Sequence, residues 1–235
     1  MRKISTYLLL FLIITVGVQT AKSELISEKR SVSGFEKVKL HGSGIVYLSQ
    51  DDEETLTIEA AADIFPYIES QVSGRTLGLG MKRNYRGWGR TRPINYYLTM
   101  KDVSGIRISG SGDIIAGELK TDALDIHISG SGDIEIGKIV ANQISAHISG
   151  SGECQLSGKS DYQDIHISGS GDYEASKLKS DRVDVSVSGS GDVTVWVDDK
   201  LDVYISGSGK VGYYGRPAVS TQSSGSGQTR HLGDR

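Results

Sequence analysis

Five acids in this chain recur behind the same four residues. Asp113, Asp133, Glu153, Asp172 and Asp192 each follow a Ser-Gly-Ser-Gly tetrad, at steps of 20, 20, 19 and 20 residues. If equivalent positions superpose at strand spacing, these carboxylates form a column of like charges about 5 Å apart. Such a column repels itself unless a cation relieves it, and calcium favours clusters of oxygen ligands. Calcium-binding β-rolls also use glycine–aspartate repeats, but with a nine-residue period and a different glycine-to-acid spacing. Ca2+ is therefore the one cofactor the acids suggest, and its fit is poor. His127, His147 and His166 recur in the same way, between Arg107 and Ser186 at the equivalent positions. Imidazoles on adjacent strands can share a transition metal; a plain exposed column of stacked side chains is the simpler reading.

A second cluster lies between Lys82 and Pro93, where five cations and two aromatics crowd one loop. Arg83, Tyr85, Arg86, Trp88 and Arg90 are its candidate ligand-binding residues, because arginine with aromatics grips anionic glycan, lipid headgroups or nucleic acid. The competing expectation is a solvated hairpin tip with Trp88 folded back onto a sheet. Catalytic candidates are lacking. Cys154 is the single cysteine, so it forms no intramolecular disulfide. It falls in an inward apolar slot equivalent to Ile134 and Tyr173, without a recognisable His/Asn partner, and reads as a buried thiol. The Asp-Ile-His-Ile-Ser string is one rung of a repeat, with no oxyanion arrangement beside it.

The elements that carry these residues follow from the repeat itself. Copies of Ser-Gly-Ser-Gly begin at Ser109, Ser129, Ser149, Ser168 and Ser188; weaker copies begin at Ser206 and Ser224, and His41-Gly42-Ser43-Gly44 stands apart upstream. Alone, the tetrad would read as a flexible linker. Its flanks forbid that. Leu124, Ile126 and Ile128 alternate with Asp125 and His127, and the alternation resumes in phase at Ile134 and Ile136. The same phase holds through Ile144 to Leu156, Ile165 to Ala175, Val183 to Val195 and Leu201 to Tyr213. Each copy is too short to enclose its apolar side, so coils must stack. The expected fold is all-β, a parallel, right-handed β-helix with coils of about 18–20 residues. In that phase Gly110, Gly112, Gly130, Gly132, Gly150, Gly152, Gly169, Gly171, Gly189 and Gly191 point inward. They form a narrow edge, while the serines form exposed hydroxyl ladders.

Residues 1–23 read as a signal peptide: Arg2 and Lys3, an apolar run from Leu8 to Val18, then Ala21-Lys22-Ser23. The run is short for a membrane span, and no integral membrane segment is expected in the mature chain. Cleavage removes three basic residues and leaves 23 against 29 acids, a net charge of about −6, which argues against nucleic-acid binding. Residues 24–100 are expected as an irregular β region capping the solenoid, with strands near 35–48, 55–60, 68–72, 76–81 and 94–100 and a helical turn near 61–66. Residues 101–227 carry the repeats and 228–235 a polar tail.

With Gly34-Phe35-Glu36-Lys37-Val38 opening the domain and Ser-Gly-Ser-Gly-Asp repeated after it, the chain resembles the GIN-domain family, described as auto-transporter adhesin heads, over about residues 31–227. The resemblance implies one β-helical domain across 24–227, exported to the periplasm or surface of a Gram-negative, Bacteroidetes-type bacterium. It supplies no catalytic residues. The expectation is a non-enzymatic binding or cell-envelope protein whose partner is a glycan, an envelope component or a protein. The alternatives are a carbohydrate-active β-helix enzyme and a homotypic assembly module, because open solenoid ends expose unpaired edges.

Overall fold

Strict alternation buries one side of every strand, and strands of this kind close round a shared interior. The computed structural model describes residues 25–83, 85 and 92–235; the expected signal peptide lies outside the described residues. In chain order the elements are β1 (Leu25–Arg30), β2 (Lys37–Gly42), β3 (Ile45–Gln50), β4 (Thr55–Ala61), a 3-10 turn (Phe65–Tyr67), β5 (Ile68–Ser73), β6 (Thr76–Met81), β7 (Ile94–Met100), β8 (Gly105–Gly110), β9 (Asp113–Gly130), β10 (Ile134–Ile148), β11 (Glu153–Ile167), β12 (Asp172–Val187), β13 (Val193–Gly207), β14 (Lys210–Tyr214), β15 (Ala218–Gly225) and β16 (Gln228–Gly233).

From β9 to β13 each strand is 15–18 residues long and pairs in parallel with the next. Equivalent residues stand directly over one another: Ile126, Ala146, Ile165, Val185 and Val203 make one inward column, and Ile128, Ile148, Ile167, Val187 and Ile205 another. All ten are buried. Each large aliphatic side chain contributes about 1.5–3 kcal/mol when removed from water, and the coils share that gain because every column spans them all. Cys154 is buried in the column of Ile134 and Tyr173, as its slot implies. The single 19-residue step is absorbed at Gly158. Two residues separate Ile136 from Ile139 in β10, but only one separates Leu156 from Gly158 in β11. Gly158 has φ +128°, and a Cβ there would sit 2.1 Å from the Ile139 carbonyl oxygen.

The Ser-Gly-Ser-Gly corners bring backbones closer still. From the Ser109 tetrad to the Ser206 tetrad the second glycine is buried, and the serines are exposed apart from half-buried Ser109. A Cβ at Gly150 would meet the Gly130 carbonyl oxygen at 1.9 Å. That same oxygen accepts the Ser151 N–H at 2.8 Å. The missing side chain would thus point along the stack, toward the coil beneath. The glycine is required by axial contact more than by the pinched interior edge expected from the sequence.

The N-terminal region departs from sequence order. The β2–β3 coil lies between β6–β7 on one side and β8–β9 on the other, parallel to both. His41 and Gly42 consequently stack on Ser109 and Gly110, so the isolated upstream tetrad is a full member of the ladder. Beyond β6–β7 the pattern turns antiparallel: β4 pairs β7, β1 pairs β4, and β5 pairs β6. These strands, with buried Phe35, Ile64, Phe65 and Val103, close that end. Helical structure near 61–66 reduces to the 3-10 turn at Phe65–Tyr67. At the other end β15 pairs β13 and β16 pairs β14, both in parallel. The segment expected as a polar tail therefore adds a strand to the stack. Backbone pairing on an existing coil needs no apolar alternation, so its polar sequence hid it.

One departure from apolar packing lies inside. Ser160, Gln163 and Ser180 are fully buried. Gln163 Nε2 donates to Ser180 Oγ at 2.7 Å, the Tyr173 hydroxyl donates to Gln163 Oε1 at 2.6 Å, and Ser160 Oγ donates to the Tyr162 carbonyl at 2.9 Å. Burial raises the Tyr173 phenol well above its ordinary range, so it stays a donor. Tyr173→Phe should cost about 1–3 kcal/mol by leaving Gln163 Oε1 unpaired. Gln163→Leu should cost a similar amount, and the double variant should cost less than the sum, as read by denaturant melts in a double-mutant cycle.

The corner geometry makes a sharper demand. Gly150→Ala should destabilise by about 3 kcal/mol or more, a fall in Tm of roughly 6–12 °C for a chain of this size. Gly117→Ala, where a Cβ meets nothing within 4 Å, should leave Tm unchanged or slightly raised.

Candidate functional site

Outward positions repeat as faithfully as inward ones, so the surface is a set of columns. Along one corner run the acids of the repeat. Asp113 Oδ1 accepts the Asp133 N–H at 3.0 Å, Asp133 Oδ1 accepts the Glu153 N–H at 2.7 Å, Asp172 Oδ1 accepts the Asp192 N–H at 2.8 Å, and Asp192 Oδ1 accepts the Lys210 N–H at 3.0 Å. Each aspartate thus ties its own coil to the next. Glu153 breaks the series: the Asp172 N–H goes instead to the Gly152 carbonyl at 3.2 Å. Burial, then Asp133, Asp172, Glu174 and Glu135, push the Glu153 carboxyl above its usual range.

The face before each tetrad carries two adjoining columns. Asp125, Ser145, Asp164, Asp184 and Asp202 form one; Arg107, His127, His147, His166, Ser186 and Tyr204 form the other. The three imidazoles stack with centroids 4.9 Å apart, at 14° and then 24° between planes. Asp125 Oδ1 lies 2.8 Å from His127 Nε2, and Asp164 Oδ1 lies 3.0 Å from His166 Nε2. Arg107 donates to Asp125 Oδ2 at 2.8 Å. Further along, the Tyr162 hydroxyl donates to Asp184 Oδ2 at 2.7 Å and Lys200 pairs with Asp202. The carboxylate beside each outer histidine went unread in the sequence, although Asp-Ile-His appears twice, at 125–127 and 164–166. The Arg107 ion pair was unreadable for another reason: it joins one coil to the next.

Concavities on this surface are open and built from equivalent residues. One of about 580 Å³ is lined by Asp161, Tyr162, Asp181, Arg182, Asp184 and Lys200, drawn from successive coils. Its acids are spaced by the repeat, and no nucleophile stands beside a base there. On the face that follows the tetrads Tyr47 and Tyr97 stack face to face, centroids 5.3 Å apart and planes 15° apart. Their ring faces are thereby turned on one another instead of outward.

The cation–aromatic loop is described in part. Arg86, Trp88 and Arg90 lie outside the described residues. Tyr85 is half-buried, packs against the core and meets Tyr67 at 5.1 Å between centroids. Arg83 is exposed and borders a concavity of about 430 Å³ with Lys39, His41 and Glu69. Of the five loop candidates, then, the structure turns Tyr85 inward and leaves Arg83 at the rim of a concavity.

Comparison with known proteins places the chain. The family described as "Putative auto-transporter adhesin, head GIN domain" matches residues 34–217. A "putative adhesin" from Bacteroides fragilis superposes with a TM-score of 0.83 at 26% identity, covering 89% of this chain and 97% of that one. A "putative lipid binding protein" from Parabacteroides distasonis gives 0.73 at 21% identity, covering 90% and 98%. A "putative adhesin" from Parabacteroides merdae gives 0.67 at 18%, covering 90% and 97%. The last two likenesses are of fold alone. No curated protein matches.

The strained member of the acid column yields a pH test. A carboxyl whose pKa is raised on folding contributes stability below its unfolded pKa and loses it as pH rises through the folded value. Glu153 should therefore cost stability at neutral pH and none under acid conditions. Glu153→Gln should raise Tm by roughly 1–3 °C at pH 7 and leave it unchanged at pH 3.5, as read by calorimetric scans at both values.

Proposed function

The chain belongs to the family described as "Putative auto-transporter adhesin, head GIN domain", and on that premise we propose an exported, non-catalytic β-solenoid that binds a component of the bacterial envelope through its open columns. The observation that carries this reading is the repetition of the exposed surface. Asp125, Asp164, Asp184 and Asp202 present a carboxylate again and again along the stack, with imidazoles beside the first two and Ser186 and Tyr204 beside the others. A small-molecule site is concave and gathers different groups at one point. An open face of repeated groups suits a macromolecule that contacts many coils at once.

Export is supported by the Arg2–Ser23 segment of the sequence and by the adhesin description of the family. Among the described residues no helix is long and apolar enough to cross a membrane.

In a native-type host, the tagged chain should be found outside the cytoplasm, and protease treatment of intact cells reports whether it is displayed. Purified chain should be retained by isolated envelope material. The triple change Asp164→Asn, Asp184→Asn, Asp202→Asn should reduce that retention at least fivefold, whereas Glu135→Gln with Glu174→Gln should not. A cytoplasmic chain that ignores envelope material, or one that turns over envelope polysaccharide, would overturn the proposal.

A further inference from the structure

In the histidine column, the residue two positions earlier decides what each ring can do. Asp125 serves His127 and Asp164 serves His166, but the coil between them has Ser145 at that place. His147 is left without a carboxylate of its own, and its Nδ1 is shielded from solvent with no hydrogen-bond partner. Donor atoms of Asp125, His127 and His147 all lie within 4.8 Å of one another.

We propose that Asp125, His127 and His147 bind one divalent transition-metal ion of the zinc class, with water completing its coordination. Two imidazole nitrogens and one carboxylate oxygen form the mixed donor set that such ions prefer, whereas calcium selects oxygen alone. The site is partly assembled. Arg107 grips Asp125 Oδ2 and leaves Oδ1 turned toward His127, as an outer partner that fixes a ligating carboxylate would. Closing donors within 4.8 Å onto an ion about 2.0–2.2 Å from each needs only rotation of half-exposed rings. The ion would replace the His127–Asp125 hydrogen bond and give the orphaned ring of His147 a partner. Arg107 opposes the added charge; Asp125 and, across the column, Asp164 offset it.

The test uses the whole chain and zinc alone, followed by titration calorimetry and by the ring-nitrogen NMR shifts of the histidines. One equivalent should bind with a Kd of micromolar or tighter, moving His127 and His147. His147→Asn should weaken binding at least tenfold, and His166→Asn should change it less than threefold. Absence of heat and of shifts at tenfold excess zinc would overturn the site. Undiminished binding by His147→Asn would do the same, as would loss on His166→Asn with none on His127→Asn. If an asparagine variant fails to fold by circular dichroism, the ring shifts of the unaltered chain decide: movement at His127 and His147 supports the site, and movement only elsewhere refutes it.

Discussion

Contact between backbones at the glycine corners is the constraint from which the rest of this structure follows. Where Gly130, Gly150 and Gly169 superpose, the space a side chain would need is filled by the carbonyl of the coil beneath. Only because no side chain competes for that space can the serine N–H groups reach the glycine carbonyls and the coils stack at β-sheet spacing on either side. A corner that turned with ordinary residues would hold neighbouring coils apart. The interior columns of isoleucine and valine would then lose the close packing on which their stabilisation depends.

Stacking at one fixed spacing also decides what the surface can be. Whatever the sequence repeats becomes a column, with each member a strand's width from the next. For the aspartates at the corner this is useful, because each carboxylate finds a backbone N–H in the following coil. For Glu153, one methylene longer and set among Asp133, Asp172, Glu174 and Glu135, the same regularity gathers like charge with no matching bond. For the histidines it produces ring stacking and leaves the member without a carboxylate, His147, unpartnered. Identical geometry is thus stabilising, costly or available for ligation according to which side chain occupies it.

How much of this was legible beforehand depended on whether a feature repeats. The coils, their inward columns, the buried Cys154 and the exposed serines all follow from alternation carried in phase through the tetrads. The second glycine of each repeat tetrad is buried against interior side chains, as its phase implies, but the first points its missing side chain along the stack, a direction for which phase has no term. The place of β2–β3 was hidden because the single tetrad at His41 lies 68 residues from the Ser109 it stacks upon, and nothing local records that jump. The strand at Gln228–Gly233 was missed for the opposite reason: it is held by backbone pairing, which leaves no apolar signature. Of the surface residues, the histidine column was visible and its aspartates were not, because their pairing matters only once the side chains share a face.

The displaced N-terminal coil resolves a difficulty that every stacked repeat meets. A solenoid must end somewhere, and an end exposes both an apolar cross-section and a row of unpaired backbone groups. Here the first parallel coil lies inside the stack. After the edge strand β1, the chain lays down β2–β3, passes beyond them to build β4, β5 and the β6–β7 coil, then returns to start the regular coils on the other side. The first coil is therefore covered on both faces. Of the outermost strands, β5 runs against the repeat direction, whereas β1, paired antiparallel to the reversed β4, runs with it. At the far end β15 and β16 pair on one side only, and their outward residues are mostly polar and exposed. The two ends are thus physically unlike, one closed by reversed strands and aromatic side chains, the other continuing the repeat in polar form.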